Sequence, residues 1–423
     1  MAPLLATFFP QGLPVRFTFW DGTSLEPTLL DLTFPAEGDP DVNAVHVTSP
    51  MALRRLLWAP GELGLGRAYV AGDLDFTGDL FGVLGPLEHN VAAHEVGLAD
   101  LRTLLAAARD AGAIGLPPPP PREEAHQRGR RHSRRRDAQA IGHHYDVGND
   151  FYRIVLGPTM TYSCARFVTA DATLEDAQTA KLDLVCRKLG LDQRPGMRLL
   201  DVGCGWGALA RHAVERYDAR VVGVTLSQEQ VDWARRANDE AGLSDRVEIR
   251  RQDYRDVSGE FDAISSIGMF EHVGSERMGE YFRDLRALLV PTGRLLNHAI
   301  SSVGGSRLGS RSFIGRYVFP DGELIDVGEV VLAMEAAGLE VRDVESLREH
   351  YARTLRHWVR NLEESWDEAV RLVGVGRARV WRLYMAASAL GFEDGGTAIH
   401  QTLGVVPDPA GASGMPLTRR GFV

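Results

Sequence analysis

Cysteine is scarce in this sequence: Cys164, Cys186 and Cys204 are the only three in 423 residues. An odd number without metal-ligand spacing argues against a disulfide-stapled secreted fold and against a zinc site, and for reduced thiols in the cytoplasm. Long apolar runs are lacking as well. No 18 uncharged apolar residues follow one another, and the opening MAPLLATFFPQGLPVRF has no basic segment ahead of its apolar stretch, so neither a membrane span nor a secretory leader is expected. Positive charge is in deficit, with 47 basic against 57 acidic residues and a net charge of −10, which speaks against general nucleic-acid binding. What is present is 44% hydrophobic and 25% charged residues, the balance of a folded chain long enough for two domains.

One local exception to the charge deficit is RGRRHSRRR, Arg128 to Arg136, with six arginines in nine positions. Such a run is either a solvated flexible segment or a patch drawn to anionic lipid headgroups, and composition does not choose. Just before it, Pro117 to Pro121 favour an extended polyproline segment outside any core. Residues 117–140 therefore read as a linker. Upstream, residues 1–116 read as a small α+β domain: VRFTFWDGTSLEP alternates as a strand does and carries an Asp21-Gly22 hairpin turn, Ser49 and Pro50 suit a helix start, and LADLRTLLAAARDAG is an amphipathic helix. Residues 141–423 form the third region. There MRLLDVGCG, ARVVGVTLS, RVEIRRQDY, FDAISSIGM and GRLLNHAIS read as buried strands, alternating at first with segments of helical pattern, which predicts an α/β, doubly wound, mainly parallel sheet. Residues 323–393 read largely as helix, either a cap over that sheet or its last layer.

LLDVGCGWGALA places Asp201, Gly203, Gly205 and Gly207 where the first of these strands turns into a helix, and glycine there lets a ligand approach the backbone without a Cβ in the way. The G-x-G-x-G spacing differs from the G-x-G-x-x-G of nicotinamide-binding units, and the second strand ends in VTLSQEQ rather than in an acid. Thr225 and Gln230 belong to this segment, where Ser227 and Gln230 have capping-box spacing. In QDY, Asp253 could receive an amino group and Tyr254 could offer its ring to a purine. The arrangement resembles class I S-adenosylmethionine-dependent methyltransferases. The fourth strand ends in GMFEHVG and the fifth in NHAI, so Glu271 and His298 fall at carboxyl ends of parallel strands, where such folds bind ligands.

Taken together, HHYDVGNDFY, MTYSCARF, LLDVGCGWG, VTLSQEQ, DYRDV, FEHVG and YVFPDGEL resemble the cyclopropane-fatty-acyl-phospholipid synthase family, which includes the mycolic acid cyclopropane synthases. GELGLGRAYVAGDLDFTGDL resembles the N-terminal domain of its longer, phospholipid-acting members. The resemblance implies methyl transfer from S-adenosylmethionine to a cis double bond of an acyl chain, leaving a carbocation that closes to a cyclopropane ring when a base removes a proton. That base is expected to be a bicarbonate ion, set among Cys164, Glu271, His298, Ile300 and Tyr351. Tyr145, Tyr162 and Ser163 are expected at the cofactor, with Asp201, Gly203, Gly205, Thr225, Gln230, Asp253 and Tyr254.

WDG, FIGRYVFPDGEL, REHYARTLRHW and ARVWRLYM also resemble actinobacterial enzymes that end the same transfer in a 10-methylene chain, which a separate reductase converts to a 10-methyl branch. Two further readings are a lipid-binding protein with an inactive domain and a methyltransferase for a small soluble acceptor. Expected partners are phospholipid acyl chains at the inner membrane surface and a second copy in a homodimer, with no nucleic acid.

Overall fold

The computed structural model describes residues 11–28, 42–92, 98–125, 147–305 and 312–422, together with Leu5, Phe9 and Arg136. It divides into two compact units. The first comprises residues 1–125, 311–318 and 366–390, and the second residues 126–310, 319–365 and 391–423.

In the first unit, β1 (Arg16–Phe19) and β2 (Ser24–Leu25) pair antiparallel around Asp21 and Gly22, whose φ of 82° suits the turn expected there. A four-stranded sheet follows in the order β2-β1-β3-β4, with β3 at Ala44–Val47 and β4 at Leu74–Thr77. Helices α1 (Met51–Trp58), α2 (Glu62–Ala71), α3 (Leu80–Ala92) and α4 (Leu98–Asp110) belong to it. The Ser49 hydroxyl accepts from the Met51 amide at 3.1 Å, so it serves the start of α1 although Pro50 occupies the cap position. The proline segment is attached to this unit: Arg55 donates to the Pro119 carbonyl at 3.0 Å, and Arg67 grips Glu124 through two 2.8 Å bonds.

The second unit is built on a seven-stranded sheet, order β10-β11-β9-β8-β5-β6-β7. Its strands are β5 (Arg198–Val202), β6 (Arg220–Thr225), β7 (Val247–Arg251), β8 (Phe261–Ile267), β9 (Leu289–Ser302), β10 (Glu340–Ser346) and β11 (Thr397–Val405). The five expected strands are present and mutually parallel, and β11 runs antiparallel between β9 and β10. Chain order reverses at β5, which has β6 on one side and β8 on the other, and ligands of doubly wound sheets bind at the carboxyl ends on either side of such a point. Helices α5 (Asn149–Leu156), α6 (Leu174–Lys188), α7 (Ala208–Tyr217), α8 (Gln228–Glu240), α9 (Met278–Ala287), α10 (Val327–Ala336) and α11 (Arg348–Glu364) complete the unit. Two apolar clusters lie on the sheet: one joins residues of α6, α7 and α8 to the strands, the other residues of α9 and α10.

Residues 323–393 are largely helical, as read, with one exception. They contain β10, an edge strand, EVRDVES, with no fully buried side chain. It has no apolar run, and on one face Asp343 and Glu345 meet the buried ammonium of Lys188. Moreover, the helices over 366–390 join the first unit rather than the sheet.

Candidate active site

The segment that follows α5, TYSCARF, is irregular because its hydrogen bonds go to two flanking helices. From α6, the Gln178 amide donates to the carbonyls of Thr161 at 3.3 Å and Ser163 at 2.9 Å, and Lys181 Nζ donates to Ser163 Oγ at 2.9 Å. From α11, Thr354 Oγ1 accepts from the Ala165 amide at 3.0 Å and His350 Nδ1 from the Phe167 amide at 3.1 Å. Backbone polar groups that regular structure would pair are thus satisfied by side chains.

Four expected residues meet through a short path of contacts. Cys164 Sγ lies 3.7 Å from the Leu347 carbonyl, and the Leu347 amide donates to the Ile399 carbonyl at 3.0 Å. Ile399 faces Ile300 across the β11–β9 pair, and the Ile300 amide donates to Glu271 Oε1 at 2.7 Å. Leu347 also begins the first turn of α11, where its carbonyl accepts from the Tyr351 amide. His298 stands two residues before Ile300 on the same face of β9, opposite Gln401.

The charges of this group are set by enclosure. Glu271 Oε2 and His298 Nε2 are buried and have no hydrogen-bond partner among the described residues. Burial raises the Glu271 carboxyl to about 7 against the pull of the Ile300 amide. Burial, with help from Lys181 and Lys188, holds His298 well below its ordinary range, so the ring is neutral. With the Gln401 amide nitrogen 3.4 Å from Nδ1 and donating to it, the ring proton sits on Nε2 and makes that atom a donor. Burial pushes the Cys164 thiol up, so it is no nucleophile.

At the cofactor end, Gly203, Gly205 and Gly207 have φ of 75°, 53° and 80°. A Cβ on Gly203 would stand 3.0 Å from Met269 Cγ, whereas one on Gly205 would enter open space. Asp201, at the end of β5, is buried, accepts from Ser265 Oγ at 2.7 Å and is raised to about 6 by burial. Thr225 Oγ1 donates to Gln230 Oε1 at 2.7 Å, while Ser227 Oγ accepts from the Gln230 amide, so only half of a capping box forms. Asp253 is held by Arg255 at 2.8 and 2.6 Å, and Tyr254 packs edge-on against Tyr281. Tyr145 and Arg128 to Arg135 lie outside the described residues.

Aromatic rings join the two ends. Trp206 lies 4.7 Å from Tyr152, Tyr152 5.7 Å from Tyr162, Tyr162 5.2 Å from Trp358, Trp358 6.0 Å from Tyr351, and Tyr351 4.8 Å from Phe392, centroid to centroid. Two residues that the sequence reading missed stand behind them, Gln178 and Lys181. Their signal was present: positions 174, 178, 181 and 185 form the buried stripe of α6, and two polar residues occupy it.

A match to the family described as mycolic acid cyclopropane synthetase spans residues 132–402. The chain belongs to that family. Its relatives include a probable fatty acid methyltransferase of Mycobacterium tuberculosis, 44% identical over 99% of this chain and 97% of that protein. Another, from Pseudomonas putida, is 40% identical over 96% and 95%. Among solved structures, the cyclopropane synthase MmaA2 of M. tuberculosis aligns with a TM-score of 0.61 at 36% identity, over 64% of this chain and 98% of that one. The mycolic acid cyclopropane synthase CmaA1, complexed with SAH and CTAB, aligns with a TM-score of 0.60 at 35% identity, over 63% and 98%. Family and fold make this chain an S-adenosylmethionine-dependent methyltransferase, and the positive-φ glycines with open space at Gly205 fit that co-substrate.

Proposed function

We propose that this protein methylates the cis double bond of an unsaturated acyl chain in a membrane phospholipid and that proton loss closes a cyclopropane ring. The observation that carries the reading is the path Cys164–Leu347–Ile399–Ile300–Glu271, with the unpartnered Glu271 Oε2 and His298 Nε2 beside it. S-adenosylmethionine supplies an electrophilic methyl group. The chain's residues then have two tasks. The rings from Trp206 to Phe392 offer π faces to the positive charge that develops on the acyl chain, and such faces attract cations. Glu271 and His298 handle the departing proton. Neutral His298 donates from Nε2, which suits a bicarbonate ion, and Glu271, with a carboxyl near 7, can take a proton from that ion. Held by these residues with Tyr351 and the main chain at Ile300, bicarbonate would supply the base.

Access to a bilayer is supported by the first unit. Trp58, Ile114 and Leu116 are 56%, 54% and 84% exposed, the Trp58 indole N–H is held by the Gly115 carbonyl, and exposed Arg102 and Arg109 flank exposed Leu105 on α4. Apolar side chains among arginines suit an anionic lipid surface. No helix among the described residues is long and apolar enough to cross a membrane.

A second reading ends the same transfer in a 10-methylene chain awaiting a separate reductase. What favours it is that relatives covering nearly the whole chain are named fatty acid methyltransferases, whereas the cyclopropane mycolic acid synthase MmaA2 matches 56% of it. The test is incubation with S-adenosylmethionine and dioleoylphosphatidylglycerol vesicles, followed by proton NMR of the acyl chains. Upfield ring protons support cyclopropanation, vinylidene protons the second reading, and unmodified chains would overturn both.

A further inference from the structure

Of the 47 basic residues in this chain, only Lys181 and Lys188 are lysines. Both are on α6 and both are buried, at 1% and 0% exposure. Arginine serves at every other basic position, so these two sites have requirements that a guanidinium does not meet. Lys188 has an evident partner set: its fully buried ammonium bridges Asp343 at 2.9 Å and Glu345 at 2.5 Å, a point charge between two carboxylates. Among the described residues Lys181 has no carboxylate within ion-pair distance, and its hydrogen bond goes to the hydroxyl of Ser163.

An ammonium carries donors and no acceptor. In the 2.9 Å contact Ser163 Oγ must therefore accept, which leaves the hydroxyl's own proton to point elsewhere. The Ser163 carbonyl accepts from Gln178, which holds in place the backbone that carries the hydroxyl. The groups that feel the Lys181 charge are Cys164 on the clamped segment, Asp201 on β5, Cys186 on α6 and His298 on β9. Among these only Asp201 is an acid, and it is occupied by Ser265. Burial lowers Lys181 to about 8, which leaves it charged at neutral pH, so the half-buried hydroxyl of Ser163 is a donor beside a buried cation, a setting that favours an anionic partner.

We infer that Lys181 is a positioning residue that turns Ser163 into a dedicated hydrogen-bond donor for the carboxylate of the methionine part of S-adenosylmethionine. The sulfonium of the same molecule is cationic, so a charge aimed at it directly would repel it. Relaying the charge through a neutral hydroxyl keeps the ammonium one group back while polarising the O–H bond that meets the carboxylate.

The test is isothermal titration of the full-length protein and of Lys181→Met, Ser163→Ala and the double variant, with two probes: S-adenosylmethionine and its decarboxylated analogue. The expected result is that either single substitution weakens S-adenosylmethionine at least five-fold, that the double variant is no worse than the singles, and that the decarboxylated analogue binds all four proteins alike. Equal losses for both probes, or losses that multiply in the double variant, would overturn the inference. Should Lys181→Met fail to fold, the comparison of the two probes on Ser163→Ala still decides whether that hydroxyl reads a carboxylate, and Lys181→Arg tests the relay. Full affinity in Lys181→Arg would show that any buried cation suffices and would overturn the argument from lysine.

Discussion

Replacing Glu271 by glutamine keeps an oxygen for the Ile300 amide and removes the only titration at that position. Moving a carboxyl from 4.5 to about 7 favours its protonated form in the folded protein by on the order of 3 kcal/mol. Because the folded value is the higher one, the resulting stability is fully present below about 4.5 and is lost as pH rises through about 7. Glutamine is neutral throughout. The ligand-free variant should therefore match the wild type in acid and exceed it increasingly as pH rises, by roughly 3 kcal/mol at pH 8. Parallel urea denaturation of both proteins at half-unit steps from pH 5 to 8 measures the difference directly, and other titrating groups such as Asp201 cancel in it. The same variant should bind S-adenosylmethionine normally and lose at least about a hundred-fold in turnover, the scale of a lost proton acceptor. A stability difference that stays flat across this range would refute the enclosed, elevated carboxyl. Wild-type turnover in the variant would remove Glu271 from the proton's path.

Gly205→Ala should lower stability by only about 1 kcal/mol, the cost of a left-handed backbone, yet weaken S-adenosylmethionine ten-fold or more, because its Cβ enters the open side of the turn; calorimetry and thermal unfolding separate the two effects. Trp358→Leu, at a fully buried ring, should cost about 3 kcal/mol of stability and reduce kcat with little change in cofactor affinity, and Trp358→Phe should recover most of the turnover. Ile114→Asp combined with Leu116→Asp alters only exposed side chains and should leave the melting temperature unchanged. Co-sedimentation with phosphatidylglycerol vesicles should fall at least ten-fold, and unchanged sedimentation would remove this surface from lipid binding.

Much of the second unit was legible because parallel strands buried on both faces are written as apolar runs, and β5 to β9 fall where those runs are. By contrast β10 is polar on both sides, and nothing in EVRDVES distinguishes an edge strand from a helical face. Glu271 and His298 could be singled out since strand ends in this fold are marked by glycine and position. Lys181 was marked in the sequence twice over, as one of only two lysines among 47 basic residues and by its place in the stripe of α6, but neither signal says what it touches. Least legible were contacts between distant segments, such as Cys164 with Leu347 and Ala165 with Thr354, which no local pattern encodes.

The composition of the first unit bears on how the chain is made. Its sheet and early helices are translated first, but Arg379, which ties the Tyr69 carbonyl at 3.0 Å to Asp75 at 2.6 Å, emerges some 300 residues later. Leu383 packs on the same apolar cluster, and Arg382 reaches the Tyr69 hydroxyl at 3.1 Å. While the methyltransferase sheet is being synthesised, the ribosome thus carries an amino-terminal portion whose own core is missing a wall. A fragment ended at residue 125 would stay in that condition, so no single cut in the chain separates the two units into self-sufficient halves.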